Sequence, residues 1–314
     1  MLGRSANGIY WMMRYLERAE NTARLLDAGF RLALTRGQNA ARDEWRSVLV
    51  TMGQAGAYSR IHPEFTGPAV TNFILGDRDN PGSVRAMFEG ARSNARSVRT
   101  ALTREVWEAT NESWMVLHDQ LARPVKAGNL GEVLAAIRRQ ATLVRGAMEG
   151  TMLRNEIFNF ARLGTFIERA DNTLRLLDAR YEMAGDQAEA VTDGTAHAYY
   201  QWSALLRALS SFEAYTEIYR DAPGARQVAE LLLLRADVPR SLRACSEEID
   251  QILASLPGLN GRPAQRLAAE MDARLRFTAI DEILEEGLHA WLTDFIPLVR
   301  QLGDAIYSSY LEAA

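Results

Sequence analysis

Two short groups of charged and amide side chains have the types and the spacing to do chemistry together. In the first, Glu17, Asn21 and Arg24 follow an i, i+4, i+7 spacing, which places them on one face of an α-helix. Arg18 lies on the flank of that face. A glutamate in such a group could act as a general base, and the arginines could hold a carboxylate or a phosphate.

The same group occurs again 151 residues later in the chain. The repeated residues are Glu168, Arg169, Asn172 and Arg175. The eighteen residues that start at Tyr15 and at Phe166 are identical at ten positions. In each copy an acidic residue, Glu20 or Asp171, stands four residues before an arginine, and we expect the two to pair.

Three interpretations of this repeated polar stripe are open. It is a solvent-exposed face, a hydrogen-bonded network between the two motif helices, or a site for a ligand or a partner. In a network, Glu17 and Glu168 would face Arg18, Arg24 or their counterparts, because a buried carboxylate without a partner is costly. An enzyme would need a carboxylate of raised pKa in a concave site, which the sequence cannot display.

The elements that must position the stripe are helices. Apolar residues recur with a period of 3.6 along almost the whole chain, and sustained strand-like alternation is absent, so we predict an all-α helical bundle. Asn80 and Pro81 predict an N-cap and a first helical residue, followed by a helix that runs to about Leu102. Opposite each stripe an apolar arc predicts a core face, with these residues: Met12, Tyr15, Leu16, Ala19, Ala23, Leu26 and Phe30, and Leu163, Phe166, Ile167, Ala170, Leu174, Leu177 and Tyr181.

Weaker similarities follow the two motif helices in the same order. The segment around Trp45 resembles that around Trp202, Tyr58 matches Tyr215, and the six residues from Asn80 resemble the six from Val238, at separations of 157 or 158 residues. We therefore predict two similar, tandemly duplicated helical halves, residues 1–152 and 153–314, which share one compact body. The larger separation predicts a longer loop near 184–194.

Composition excludes several classes of protein. The net charge is −4, which argues against a nucleic-acid partner. Lys126 is the one lysine beside 35 arginines, a bias that a GC-rich genome produces and that also suits forked pairing with carboxylates. The four histidines, which share no short ligand spacing, predict no metal site; they are His62, His118, His197 and His289.

The chain also lacks the usual signs of catalysis and export. No phosphate loop, HExxH pair or GxSxG elbow occurs, so we expect no cofactor, and catalytic residues cannot be assigned. Cys245 has no catalytic signature around it and is expected to be a small buried residue. No secretory signal or membrane-spanning run is present, and we predict a cytoplasmic protein without membrane contact.

The motif segments carry a family resemblance. They read GIYWMMRYLERAENTARLLD, FILGDRDNPGSVR and FIERADNTLRLLD, and they resemble the bacterial Alpha-E family, an all-helical family named for its Glu-Arg motif and long classed as a domain of unknown function. The resemblance covers essentially the whole chain. It implies that Glu17-Arg18 and Glu168-Arg169 are the family's motif, and the form at Val238 departs from the Asn-Pro of the first copy.

The resemblance also implies a functional setting. The resemblance implies a protein that is encoded beside, or fused to, a circularly permuted ATP-grasp ligase-like protein and a transglutaminase-like cysteine protease. This company implies the formation or processing of amide or peptide bonds. We therefore expect a non-catalytic binding or scaffold component with a protein partner and a possible peptide substrate; the alternative is an enzyme that uses the Glu-Arg-Asn stripe for acid/base chemistry and anion binding.

Two apolar segments are candidates for contact with a partner. Trp11, Met12 and Met13, beside Tyr10, would form an interface if they were exposed and a core if they were buried. Leu231 to Leu234 could pack on another copy of the chain in an oligomer. The oligomeric state does not follow from the sequence.

Overall fold

The computed structural model describes residues 2–34, 38–184, 196–257 and 259–312. The chain divides into two compact units, which we call the first unit (1–164) and the second unit (165–314). The described residues form helices and no β-strand, so the predicted all-α fold is confirmed. The predicted halves remain a prediction: their boundary at residue 152 lies just after a helix that ends at Thr151, whereas the compact units divide inside the next helix.

The first unit contains seven helices and the start of an eighth among the described residues. They are α1 (Leu2–Leu34), α2 (Gln38–Thr51), α3 (Ala55–Ser59), α4 (Gly67–Leu75), α5 (Val84–Ser97), α6 (Arg104–Gln120), α7 (Ala127–Thr151) and α8 (Glu156–Ala184). Most of the loop predicted near 184–194 lies outside the described residues.

The second unit continues from α8 with seven more helices in its described part. They are α9 (Ala196–Ala208), α10 (Phe212–Tyr219), α11 (Ala225–Leu234), α12 (Leu242–Ser255), α13 (Arg262–Phe277), α14 (Ile280–Glu286) and α15 (Leu288–Ile306), followed by a π-turn over Tyr307–Leu311. Here α12 packs on α13, α13 on α15, and α11 on both α12 and α14.

The long helix α1 lies inside the first unit, because α2, α5 and α7 all pack against it. Small residues allow these close approaches. A Cβ atom at Gly8 would lie 2.3 Å from Cγ1 of Val98, just beyond α5, and a Cβ at Gly164 in α8 would lie 2.3 Å from the carbonyl oxygen of Tyr10. Neighbouring helices therefore cover more than the apolar arc of α1.

The predicted apolar arcs are largely confirmed as core. In α1 the arc is buried apart from the half-buried Tyr15 and Phe30, and in α8 it is buried apart from the half-buried Phe166 and Tyr181. Leu231, Leu232 and Leu233 are fully buried, so they serve the core of the second unit and do not offer a face to another copy. Cys245 is buried, as expected.

The predicted helix start at Asn80 and Pro81 is wrong. Helix α5 begins at Val84, where the Ser83 hydroxyl accepts a hydrogen bond from the Ala86 amide, and it ends at Ser97. Asn80 instead closes a turn: its Oδ1 accepts from the Gly82 amide, and its Nδ2 donates to the carbonyl oxygen of Phe73. An asparagine side chain that bonds two residues ahead favours a turn over a helix.

The second unit uses the same cap without that asparagine. Ser241 stands 158 residues after Ser83 and accepts from the Ala244 amide at the start of α12. The departure at Val238 thus leaves the cap of the second copy intact.

A matching pair of buried tyrosines closes the same kind of loop in both units. The Tyr58 hydroxyl donates to the carbonyl oxygen of Glu64 at 2.7 Å, and the Tyr215 hydroxyl donates to that of Ala222 at 3.0 Å. Burial raises the pKa of both phenols, which remain protonated donors at neutral pH.

Candidate functional site

The first copy of the motif is a buried cluster of ion pairs between α1 and α7. Glu17 and Glu20 are each only 1% exposed. One guanidinium nitrogen of Arg145, Nη2, donates to Oε2 of Glu17 at 3.0 Å and also contacts Oε2 of Glu20. Arg24 donates to the other Glu20 oxygen through Nε at 3.1 Å and Nη2 at 2.8 Å. We call Glu17, Glu20, Arg24 and Arg145 the first-unit cluster.

Burial explains why this cluster needs arginine. Two carboxylates that are removed from water and held by one cation lose hydration that must be replaced by charge-assisted hydrogen bonds. A guanidinium presents several N–H donors in a fixed plane, and Arg145 with Arg24 supplies two such groups to two carboxylates. The cluster therefore joins α1 to α7 with its charges balanced.

A second link between α1 and α7 lies about two helical turns from the first-unit cluster. Arg138 donates to Asp27 at 3.3 Å, and Arg31 contacts the other oxygen of the same carboxylate at 3.3 Å. In the second unit, Nδ1 of His289 lies 2.7 Å from Oδ1 of Asp178. The separation along the chain is 111 residues in both the Arg138–Asp27 and the His289–Asp178 pair.

The second copy of the motif is arranged differently. Glu168 is buried, but the pair that follows it is open: Arg175 donates to Asp171 at 2.7 Å with side-chain exposures of 43% and 23%. The bond from Asp171 raises the pKa of Arg175. The position 151 residues after Arg145 is Ile296, so the second copy has no arginine in that place.

The other residues of the motif differ in burial. Arg18 and Arg169 are half-buried, Asn21 is buried and Asn172 is half-buried. The Cζ atom of Arg169 lies 5.6 Å from the centre of the Phe166 ring.

In the second unit, Arg169 also lines a cavity of about 380 Å³. The cavity is bounded by α8, α12 and the turn between α11 and α12, and its charged lining residues are Arg169, Asp237, Glu247 and Glu248. Asp237 is held by Arg235 at 2.6 Å, which lowers the pKa of that carboxyl. Glu168, the motif glutamate of this copy, is not among the lining residues.

The structure thus brings some predicted residues together and adds others. The expected i, i+4 pairs, Glu20 with Arg24 and Asp171 with Arg175, are confirmed. Sequence reasoning missed Arg145, which bridges the two buried glutamates, and Arg138. The sequence did contain one indication of these residues: a spacing of seven places both arginines on one face of α7.

The aromatic and methionine segment near the N-terminus is core. Tyr10, Met12 and Met13 are at most 1% exposed, and Trp11 is half-buried. Of the two interpretations of this segment, interface and core, burial selects core.

Two kinds of feature are not found in the part of the chain that the structure describes. No three His, Cys, Asp or Glu side chains lie close enough together to hold a metal ion there. None of the described helices combines the length and the apolar character needed to cross a lipid bilayer.

Comparison with protein families now adds to this geometry. The model of the Alpha-E family, described as a predicted alpha-helical domain with a conserved ER motif, matches residues 1–311. The chain belongs to the Alpha-E family. Glu17-Arg18 and Glu168-Arg169 are the two Glu-Arg pairs of this Alpha-E chain that lie on the repeated motif helices.

Mycobacterial relatives are similar along almost the whole chain. An uncharacterized protein of Mycobacterium bovis is 27% identical over 336 residues, and one of Mycobacterium tuberculosis is 26% identical over the same length. Each match covers 98% of this chain and 37% of the relative, so this chain spans little more than a third of the length of those proteins. No solved structure matches the chain.

Proposed function

We propose that this Alpha-E chain is a non-catalytic binding or scaffold component that works with an ATP-grasp ligase-like protein. The observation that supports this most is the burial of Glu17 and Glu20 under Arg145. A general base must come within hydrogen-bond reach of the substrate proton. Carboxylates that are 1% exposed and already bonded to arginine are suited to joining helices.

The lengths of the relatives support a role beside another polypeptide. In the mycobacterial proteins the matched region occupies 37% of the chain and is joined to further polypeptide. When two segments are joined covalently in one protein, each is present at a high effective concentration near the other. The resemblance to the Alpha-E family implies the partner that we propose, an ATP-grasp ligase-like protein. It also implies the setting, which is the formation or processing of amide or peptide bonds together with a transglutaminase-like protease.

Co-purification tests this proposal. The tagged full-length chain is mixed at micromolar concentration with the ATP-grasp ligase-like protein of the same organism, with and without ATP and a peptide, and the complex is separated by size-exclusion chromatography with light scattering. We expect a complex of defined stoichiometry. Absence of a complex under all these conditions would contradict the proposal.

A matched pair of variants separates a scaffold from an enzyme. Glu17→Gln keeps the shape of the side chain and removes the charge that Arg145 holds. A scaffold predicts lower folding stability and unchanged turnover by the partner per mole of complex formed. If the variant is as stable as the parent and binds the partner but turnover by the complex is lost, the glutamate is catalytic and the proposal is wrong.

A further inference from the structure

A shallow concavity of about 510 Å³ lies on the surface of the first unit. It shares Arg24 with the first-unit cluster, but the buried carboxylates Glu17 and Glu20 do not line it. It is formed by one residue of α1 and five residues of α7. We call it the arginine concavity, and its lining residues are Arg24, Ala135, Arg138, Arg139, Thr142 and Leu143.

The concavity has an excess of positive charge, which comes from Arg139 and from the pairing of Arg138 and Arg31 with the single carboxylate of Asp27. Arg24 and Arg138 each hold a carboxylate on the α1 side, Glu20 at 1% exposure and Asp27 at 19%. Arg139 is exposed and forms no ion pair with a described residue. Three guanidinium groups thus line one surface, and none of its lining residues is acidic.

Helix packing does not require these arginines, as the second unit indicates. The equivalence of Asp27 with Asp178 and of Arg138 with His289 places α7 and α15 in register at a separation of 151 residues. At that separation Arg139 and Leu143 correspond to Ala290 and Asp294 of α15. The second unit therefore has an arginine, a histidine, an alanine and an aspartate at the positions where the first has three arginines and Leu143.

Leu143 adds an apolar contact to the concavity. Its side chain is 46% exposed and lies beside Thr142 and one turn from Arg139. Small-molecule sites usually enclose most of their ligand. A shallow surface with several guanidinium groups and one exposed leucine instead suits an extended or helical segment that carries repeated carboxylates and an apolar residue.

We propose that the arginine concavity binds an acidic segment of a partner polypeptide. Arginine forks match the geometry of side-chain carboxylates, and an apolar partner residue covers Leu143. This inference rests on the proposed function, because it names the surface by which the binding component would hold its partner.

Fluorescence anisotropy tests the inference with a defined probe. The probe is a labelled peptide of sequence EELEELEE, and its neutral counterpart has glutamine in place of every glutamate. We expect the full-length chain to bind the acidic peptide at 50 mM salt, to bind it more weakly at 300 mM salt, and to leave the neutral peptide unbound, because the attraction is screened by ions.

Paired variants locate the binding surface. Arg138→Gln with Arg139→Gln is expected to raise the Kd at least tenfold, since two charge-assisted contacts are lost. The control is Arg104→Gln with Arg266→Gln, which removes the same charge from two arginines that are 80% and 78% exposed on other helices. The control is expected to change the Kd less than twofold. Circular dichroism spectra check that both double variants are folded.

Four outcomes would overturn the inference. They are no binding of the acidic peptide at 1 mM, equal weakening by the control pair, tighter binding of inorganic tripolyphosphate at the same arginines, and self-association of the chain that the Arg138/Arg139 pair abolishes. The co-purification experiment tests the proposed function separately. If the chain forms a complex with the ATP-grasp protein but does not bind the acidic peptide, only the inference about the arginine concavity is overturned. If the chain binds the peptide but forms no such complex, only the proposed function is overturned.

Discussion

At the scale of single residues, the two motif copies differ at one position outside the motif helix, which is an arginine for the first copy and an isoleucine for the second. Arg145 gives the first copy a bridge between two buried glutamates, and Ile296 occupies the position 151 residues later. The local pairs, Glu20 with Arg24 and Asp171 with Arg175, are present in both copies. Equal motifs in the sequence therefore have unequal surroundings in the structure.

This difference predicts unequal costs for the same substitution. Arg24→Gln removes a cation from a carboxylate that is 1% exposed, whereas Arg175→Gln removes one from a carboxylate that is 23% exposed. We expect the first to lower the free energy of unfolding by about 1 to 3 kcal/mol and the second by less than about 1 kcal/mol. Urea unfolding followed by circular dichroism measures both, and equal costs would contradict the difference in burial.

At the scale of elements, the first unit depends on how closely other helices approach α1. The tightest contact with backbone is at Gly164 of α8, where a Cβ would lie 2.3 Å from the carbonyl oxygen of Tyr10. That oxygen belongs to a helix and cannot move without the rest of α1. A side chain at residue 164 therefore has to separate the two helices.

Gly164→Ala is expected to destabilise the protein although alanine favours helix more than glycine does. The overlap should cost about 1 to 3 kcal/mol, more than the gain of about 1 kcal/mol in helix propensity. Gly146→Ala in α7 is the matched control, since no atom lies within 4 Å of the added Cβ. We expect this control to raise the melting temperature, and a rise for Gly164→Ala as well would show that the helices do not cross so closely.

The capping serines give a second prediction for elements. Ser83 and Ser241 each accept a hydrogen bond from the backbone amide three residues on. Replacing either by alanine should cost about 1 kcal/mol of stability, because a helix-terminal amide loses its acceptor. Asn80 bonds the turn before α5, and Asn80→Ala should cost a comparable amount through the lost bond to Phe73. Thermal unfolding of the three variants checks these costs, and unchanged melting temperatures for both serine variants would refute the caps.

At the scale of the whole molecule, local patterns in the sequence predicted most of what is local in the structure. The helical period predicted the all-α fold, and the i, i+4 spacing predicted the pairs of Glu20 with Arg24 and of Asp171 with Arg175. Asn80 misled because its side chain suits a turn as well as a cap, and a serine three residues later takes the cap.

Features that depend on distant parts of the chain did not follow from those patterns. Arg145 lies 128 residues after Glu17, and nothing local to either residue indicates the other. The stripe on α1 is polar, yet its residues Glu17 and Asn21 are buried because α2, α5 and α7 surround the helix. A polar stripe on a central helix thus indicates an internal network as readily as a solvent-exposed face.

The most direct test of the account is the coupling between Glu17 and Arg145. A double-mutant cycle compares the free energies of unfolding of the parent, Glu17→Gln, Arg145→Gln and the double variant, with Arg139→Gln on the exposed face of α7 as the control. We predict a coupling energy of about 1 to 3 kcal/mol, and a change of at most about 0.5 kcal/mol for the control. A coupling near zero, with Glu17→Gln as stable as the parent, would contradict the view that the Glu-Arg motif of the first unit is a structural network.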